Sequence, residues 1–204
     1  MSQVFIISAP SGSGKSTLVR NLMKSDRNLI FSVSYTTRNA RGQEKDGNEY
    51  NFVSRDEFEA MIARDEFVEW AKVFDDYYGT HNRYIHQGVA EGKDVVLDID
   101  VKGARQLRKR IPKAVSVFVL APSREELEKR LRARGDVSEQ VIQKRVAVAA
   151  REIEDFSQYT HVLVNDDVDK ASDLLHSIVK AARARSSNSD VIARVEKILG
   201  TFKQ

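Results

Sequence analysis

Ten consecutive residues, Ser8–Thr17, read SAPSGSGKST and end in Gly14-Lys15-Ser16, a combination suited to holding a chain of phosphates. Glycines let successive backbone N–H groups turn inward around phosphate oxygens at the positive end of a helix. The Lys15 ammonium then reaches the β- and γ-phosphates of a nucleoside triphosphate, while the Ser16 hydroxyl ligates Mg²⁺. Ala9, Pro10, Ser11, Gly12, Ser13, Gly14, Lys15, Ser16 and Thr17 are the candidate wall of that site. Ala9 stands where the pattern G-x-x-x-x-G-K-[ST] has its first glycine, and a small residue suffices there if its φ is negative.

Two further groups fit the same chemistry. VVLDID carries Asp98 and Asp100 to the carboxyl end of an apolar strand, where open α/β sheets bind ligands. Asp98 is the candidate for holding Mg²⁺, directly or through its water. Arg130, Arg132 and Arg134 lie on one expected helix and Arg145 on the next. Cations on a mobile helical hairpin could surround a transferring phosphoryl group and exclude water. The polar stretch Thr36–Val53, TTRNARGQEKDGNEYNFV, supplies an acceptor site. Arg38 and Arg41 offer planar clamps for a phosphate monoester, Tyr50 a hydroxyl donor, and Glu44 an acid to orient an arginine. Nearby stand Glu69, Tyr78 and Thr80. One carboxylate accepting two N–H bonds matches the N1–H and N2–H edge of guanine, which adenine lacks.

These groups need a scaffold, and the periodicity supplies one. Val4–Ser8, Val95–Ile99, Ser116–Leu120 and His161–Val164 read as strands apolar on both faces, alternating with helices. The fold class is therefore α/β, with a helix-covered parallel sheet. Helices are expected over Lys15–Lys24, Arg83–Glu91, Ala104–Arg110, Ser123–Arg134, Ser138–Phe156 and Val168–Arg185. Ser54 with Glu57 forms a capping box for a helix ending near Arg64. Phe31–Tyr35, Glu49–Val53 and Phe67–Phe74 read as strands of a smaller, more exposed sheet. After the linker-like Ser186–Asp190, residues Val191, Val195, Ile198, Leu199 and Phe202 fall at helical spacing. That helix either packs on its own domain or contacts another subunit, so a homodimer or higher homo-oligomer stays open.

The 204 residues suit one domain, and 41% apolar with 31% charged residues suits a globular one. The absence of cysteine excludes disulfides, thiolate metal sites and a cysteine nucleophile. A net charge of +3, with both signs mixed along the chain, gives no nucleic-acid footprint. No run nears the roughly 18 apolar residues of a membrane helix, and the N-terminus lacks a signal-peptide pattern, so a cytoplasmic protein without a membrane partner is expected. The four histidines lack metal-ligand spacing, Trp70 reads as packing, and the basic cluster Arg105–Arg110 reads as solvated surface.

APSGSGKST together with the spacing T-T-R-x₂-R-x₂-E-x₂-G-x₂-Y-x-F over Thr36–Phe52 resembles the bacterial guanylate kinases, one group of nucleoside-monophosphate kinases. The resemblance runs from about Val4 to Arg185. It implies Mg²⁺-dependent transfer from ATP to GMP, giving ADP and GDP in purine metabolism. It also implies a three-layer P-loop fold in three parts: a core over about 1–31, 82–122 and 158–185, a GMP-binding region over about 32–81, and a lid over about 123–157. Residues 186–204 would be linker and C-terminal helix. Position by position, Arg38, Arg41, Tyr50 and Tyr78 would hold the GMP phosphate, with Glu44 and Gly79 beside them. Ser34, Glu69, Thr80 and Asp100 would meet the guanine. Lys15, Asp98, Arg38, Arg134 and Arg145 would serve the transfer, Arg130 would assist, and Asn165 would lie near the adenine of ATP.

Overall fold

The computed structural model describes residues 2–73, 75–133 and 138–201. In chain order the elements are β1 (Val4–Ser8), α1 (Lys15–Ser25), β2 (Leu29–Ser32), β3 (Tyr35–Thr36), β4 (Asn51–Phe52), α2 (Arg55–Ala63), β5 (Phe67–Val73) and β6 (Asp76–His81). There follow α3 (Arg83–Glu91), β7 (Asp94–Ile99), α4 (Val101–Arg110), β8 (Val115–Leu120) and α5 (Arg124–Ala133). The chain continues through α6 (Glu139–Ile153), a 3₁₀ turn (Glu154–Gln158), β9 (His161–Val164), α7 (Val168–Arg183) and α8 (Ser189–Thr201).

Five strands form a parallel sheet in the order β2-β7-β1-β8-β9. The period-2 alternation of side chains sends Phe5 and Ile7 to one face and Ile6 to the other. On the first face, Leu18, Val19 and Leu22 of α1 and Leu175 and Val179 of α7 close a core. On the second, Tyr84 of α3 and Val101, Ala104 and Leu107 of α4 do the same. Both faces are thus covered, which is why these strands are apolar throughout. Each fully buried Leu or Phe contributes roughly 1.5–3 kcal/mol to this packing. β1, at the centre, ends in the phosphate-loop sequence and so points it at the carboxyl edge of the sheet.

A second sheet, β4-β3-β6-β5, is mixed: β3 pairs parallel with β4, while β6 runs antiparallel to both β3 and β5. It covers α2 through a small core of Tyr35, Phe58, Met61 and Phe67. The expected strand Phe31–Tyr35 is corrected here. Its first half belongs to β2 at the edge of the large sheet, its last residue to β3 of the small one, and the chain crosses between them at Val33 and Ser34. β6 was not legible as a strand. Ser54 caps α2 as expected, its hydroxyl accepting from the Glu57 N–H at 3.2 Å, while the Glu57 carboxylate takes Arg64 at 3.0 Å. α5 and α6 share a separate core of Leu127, Leu131, Ile142, Val146 and Ala149, which makes them a self-contained helical pair. Among the described residues no helix is long and apolar enough to cross a membrane. α8 leaves Ile192, Val195 and Leu199 exposed in the single chain, its first turn held by Asn188, which donates to the Arg183 carbonyl.

Candidate active site

Between β1 and α1 the chain makes a tight loop, with the Ser13 N–H bonded to the Pro10 carbonyl at 3.2 Å. Gly12 and Gly14 hold φ of +95° and +88°, where a side chain is strained. Gly14 caps α1 without a side-chain bond, so the first N–H groups of the helix face the loop mouth beside exposed Ser11, Ser16 and Thr17. Ala9 is buried in the core beneath the loop. Asp65 is the one non-glycine residue with positive φ among the described residues, so the backbone at Ala9 needs no glycine.

Lys15 curls back over this loop. Its ammonium pairs with Asp98 on β7 and donates to the Ile99 carbonyl at 3.1 Å. Burial lowers its pKa to about 8, partly offset by the charge of Asp100, so it remains a cation at neutral pH. The β1–β7 register sets this meeting: Ile7 lies opposite Asp98 and Ser8 opposite Ile99.

Asn165, just after β9, closes the loop from the other side. Its amide donates to the Ser13 carbonyl at 2.9 Å. A Cβ on Gly14 would stand 2.2 Å from that amide nitrogen. Gly14→Ala is therefore expected to displace Asn165 and to lower both stability and nucleotide affinity, by about 1–3 kcal/mol in stability from strain and lost bonding. Denaturant unfolding and calorimetry check it. Arg130 of α5 adds a strut that sequence reasoning did not find: it donates to the carbonyls of Ser13 (3.4 Å) and Asn165 (3.0 Å) while paired to Glu126 (2.8 Å). Its guanidinium thus holds two backbone carbonyls.

The small sheet carries two polar groups. In the first, Arg38 is bound by both oxygens of Glu44, at 2.8 and 3.0 Å, and its Nη1 also donates to the Asn39 carbonyl. The second Arg38 face lies 5.1 Å from the Tyr50 ring centroid, and Tyr50 meets Tyr78 edge-on at 5.9 Å. Glu44 also accepts from the Arg41 N–H, so the loop is folded around this carboxylate while the Arg41 side chain projects into solvent. The Glu44 bonds raise Arg38 further above its ordinary range and lower Glu44. Arg38, Tyr50 and Tyr78 are thus brought together, with the Arg41 backbone tied to the same Glu44.

The second group is buried. Glu69, only 5% exposed, lies opposite Thr80 across β5 and β6 and accepts its hydroxyl at 2.7 Å. Asp100 caps α4, accepting the Gly103 N–H at 2.7 Å. A Cβ on Gly103 would stand 2.9 Å from a Glu69 oxygen and 3.4 Å from Asp100 Oδ1, so the two acids share one recess. Burial, with the Asp100 charge adding to it, pushes Glu69 up to about 7. Gly79 is required by packing, since a Cβ would meet the Phe67 and Phe58 rings at 2.9–3.0 Å. Ser34 is half-buried at the crossing into β3, its carbonyl bonded to the Asn51 N–H.

In the helical pair, Arg145 is half-buried on α6 and Arg134 lies outside the described residues. Arg132 is spent on Glu128 and Glu139. Glu152, near the end of α6, was missed in the sequence because it reads as one polar position of an amphipathic helix. It is half-buried, and burial together with Asp100 pushes it to about 7. Phosphate loop, Asp98, Asp100 and Glu69 therefore form one continuous line from the large sheet to the small one.

A phosphate loop at the end of a central parallel strand, an acid on the neighbouring strand, and a basic recess on an adjoining small sheet together define a P-loop kinase of small acceptors. Residues 1–182 match the family model for guanylate kinase, and the chain belongs to the guanylate kinase family. It is 49% identical over 199 residues to the guanylate kinase of Koribacter versatilis, covering 96% of this chain and 85% of that one. It is 48% identical over 186 residues to that of Escherichia coli K12, covering 90% of each. The crystal structure of guanylate kinase from Anaplasma phagocytophilum superposes with a TM-score of 0.74 at 32% identity, over 91% of this chain and 88% of that one.

Proposed function

We propose that this protein moves the γ-phosphoryl group of ATP onto the phosphate of GMP, releasing ADP and GDP, as a cytoplasmic enzyme of purine nucleotide supply. The observation that carries the guanine assignment is Glu69, a buried carboxylate held by Thr80 beside Asp100 in a recess that adjoins the phosphate loop. Guanine offers N1–H and N2–H to such an acceptor, whereas adenine would leave it unpaired. Residues 32–81 act as the GMP-binding region, with Arg38, Arg41, Tyr50 and Tyr78 on its phosphate and Ser34, Thr80 and Asp100 with Glu69 around the base. Residues 123–157 act as the lid, bringing Arg145 and Arg134 to the transferring group, while the rest forms the core.

Chemistry here is positioning and charge neutralisation, with no covalent intermediate. Lys15 neutralises charge between the β- and γ-phosphates. Arg38 aligns the attacking GMP oxygen, and lid closure excludes water. For Mg²⁺, the Ser16 hydroxyl and the Asp98 carboxylate are the fitting donors, both hard oxygens at the loop mouth. Among the described residues no cluster of three or more acidic or histidine side chains could hold a cation, so such an ion would rely on phosphate oxygens and water. When bound, it would neutralise the developing phosphate charge.

The acceptor role requires an ionised Glu69, so pH should enter. Glu69 sits at about 7, and GMP affinity is expected to fall by up to about tenfold per pH unit below that value. The GMP phosphate itself titrates near 6. The slope attributable to Glu69 is therefore the difference between wild type and Glu69→Gln, expected to be close to one proton, by calorimetry from pH 5.5 to 8.5. Equal slopes would remove Glu69 from the base site. Chromatography of a reaction with MgATP and GMP tests the activity: ADP and GDP should form in equal amounts, and ADP without GDP would overturn the reading.

A further inference from the structure

The basic run Arg105–Arg110 does not behave as plain solvated surface. Arg110 donates to the Phe67 and Val68 carbonyls of β5, and Gln106 to the Trp70 carbonyl, so one side of α4 is fastened to the small sheet. Arg105, Arg108 and Lys109, at i, i+3 and i+4, share another side. They face Asp155 and Gln158 of the 3₁₀ turn across an open recess of about 500 Å³, within the usual size of small-molecule sites.

Its floor is organised. Phe118 of β8 stacks on Tyr159 with ring centroids 4.5 Å apart, and the Arg108 guanidinium lies 4.1 Å over the outer face of Tyr159. That stacking fixes the plane of the arginine fork. Arg108 Nη1 is shielded from solvent and has no acceptor in the protein. Arg108 lines the recess through the rest of its half-buried side chain. Arg105 spends one nitrogen on Asp155 at 2.5 Å. Three cations thus face one carboxylate, and the plane of one of them is fixed.

We infer that the recess between α4 and the 3₁₀ turn is a second anion site, shaped for a small soluble ligand carrying a di- or polyphosphate. The stacked Arg108 supplies a guanidinium of fixed plane, Arg105 and Lys109 supply the remaining charge, and Asp155 competes with the ligand for Arg105. The inference does not depend on which nucleotide the catalytic site accepts. Asp155 follows Glu152 by one turn, so a ligand that displaces it acts on the segment that reaches Asp100.

Pyrophosphate is the probe. It is titrated by calorimetry into the full chain saturated with ADP and GMP in magnesium-free buffer, which fills the phosphate loop and the Arg38 group. One site per chain is expected. Arg108→Met should weaken it at least tenfold, Lys109→Ala several-fold, and Arg20→Ala, on exposed α1 surface, not at all. Asp155→Asn should tighten binding several-fold, a gain that a merely structural role cannot produce. If Arg108→Met does not fold, the opposite shifts of Lys109→Ala and Asp155→Asn decide the matter. Absence of a saturable site, or binding that neither Lys109→Ala nor Asp155→Asn changes, overturns the inference.

Discussion

Lys15→Met is expected to reduce kcat by about 10³-fold or more while the protein stays folded, because no other cation of the loop can replace an ammonium that bridges the transferring phosphates. The side chain is held by two acceptors, Asp98 and the Ile99 carbonyl, both at the carboxyl end of β7. Both contacts are polar and the Lys15 side chain is not part of the apolar core on either face, so the melting transition should move little. Asp98 loses its counterion in the variant, but the carboxylate retains access to water. Steady-state rates and thermal unfolding of the two proteins measured side by side check this. A kcat within tenfold of wild type would remove Lys15 from the transfer step, whatever the loop resembles.

Glu69→Gln is the second large effect, and it should separate recognition from stability. The amide offers one acceptor and one donor where guanine presents two donors, so one N–H pair would face another. Losing a charge-assisted bond and leaving a buried donor unpaired costs about 2–4 kcal/mol, which lowers kcat/KM for GMP by roughly 30- to 10³-fold. ATP affinity should not change. Stability should go the other way. Folded Glu69 keeps its proton up to about 7, whereas an unfolded glutamate gives it up near 4.5. Its ionisation therefore takes stability away as pH rises through that window. Glutamine has no such penalty, so the variant should melt at or above wild type at pH 8. A variant that loses GMP and stability together would point to a structural glutamate.

How far the sequence could be read depends on which forces set each element. β1, β7 and β8 were legible because burial on both faces demands unbroken apolar runs, β9 at the sheet edge by its apolar composition alone, and α3 ended at Gly92 as its composition implied. β6, DYYGTH, has no such run, and its place is set by partners far away. Gly79 must be small because the Phe58 and Phe67 rings lie against it, a constraint visible only in three dimensions. α4 begins at Val101, three residues before the expected start, since Asp100 serves as its cap as well as lining the recess. Phosphate-loop and Arg38 residues were legible as local patterns with a chemical reason for their spacing. Glu152, the stacked Arg108 and the carbonyls that Arg130 holds were not, because each depends on groups brought from distant elements.

The proposed choice of acceptor rests on Glu69. The most direct measurement is coupled ADP formation with MgATP and GMP, AMP, CMP or UMP in parallel, at pH 8 so that Glu69 is ionised. The account predicts rapid turnover with GMP and at least about 10³-fold lower kcat/KM with the other three, the discrimination available to a site whose polar groups would otherwise be left unpaired. Comparable turnover with AMP, CMP or UMP, or none with GMP from a folded protein that binds ATP, would contradict it.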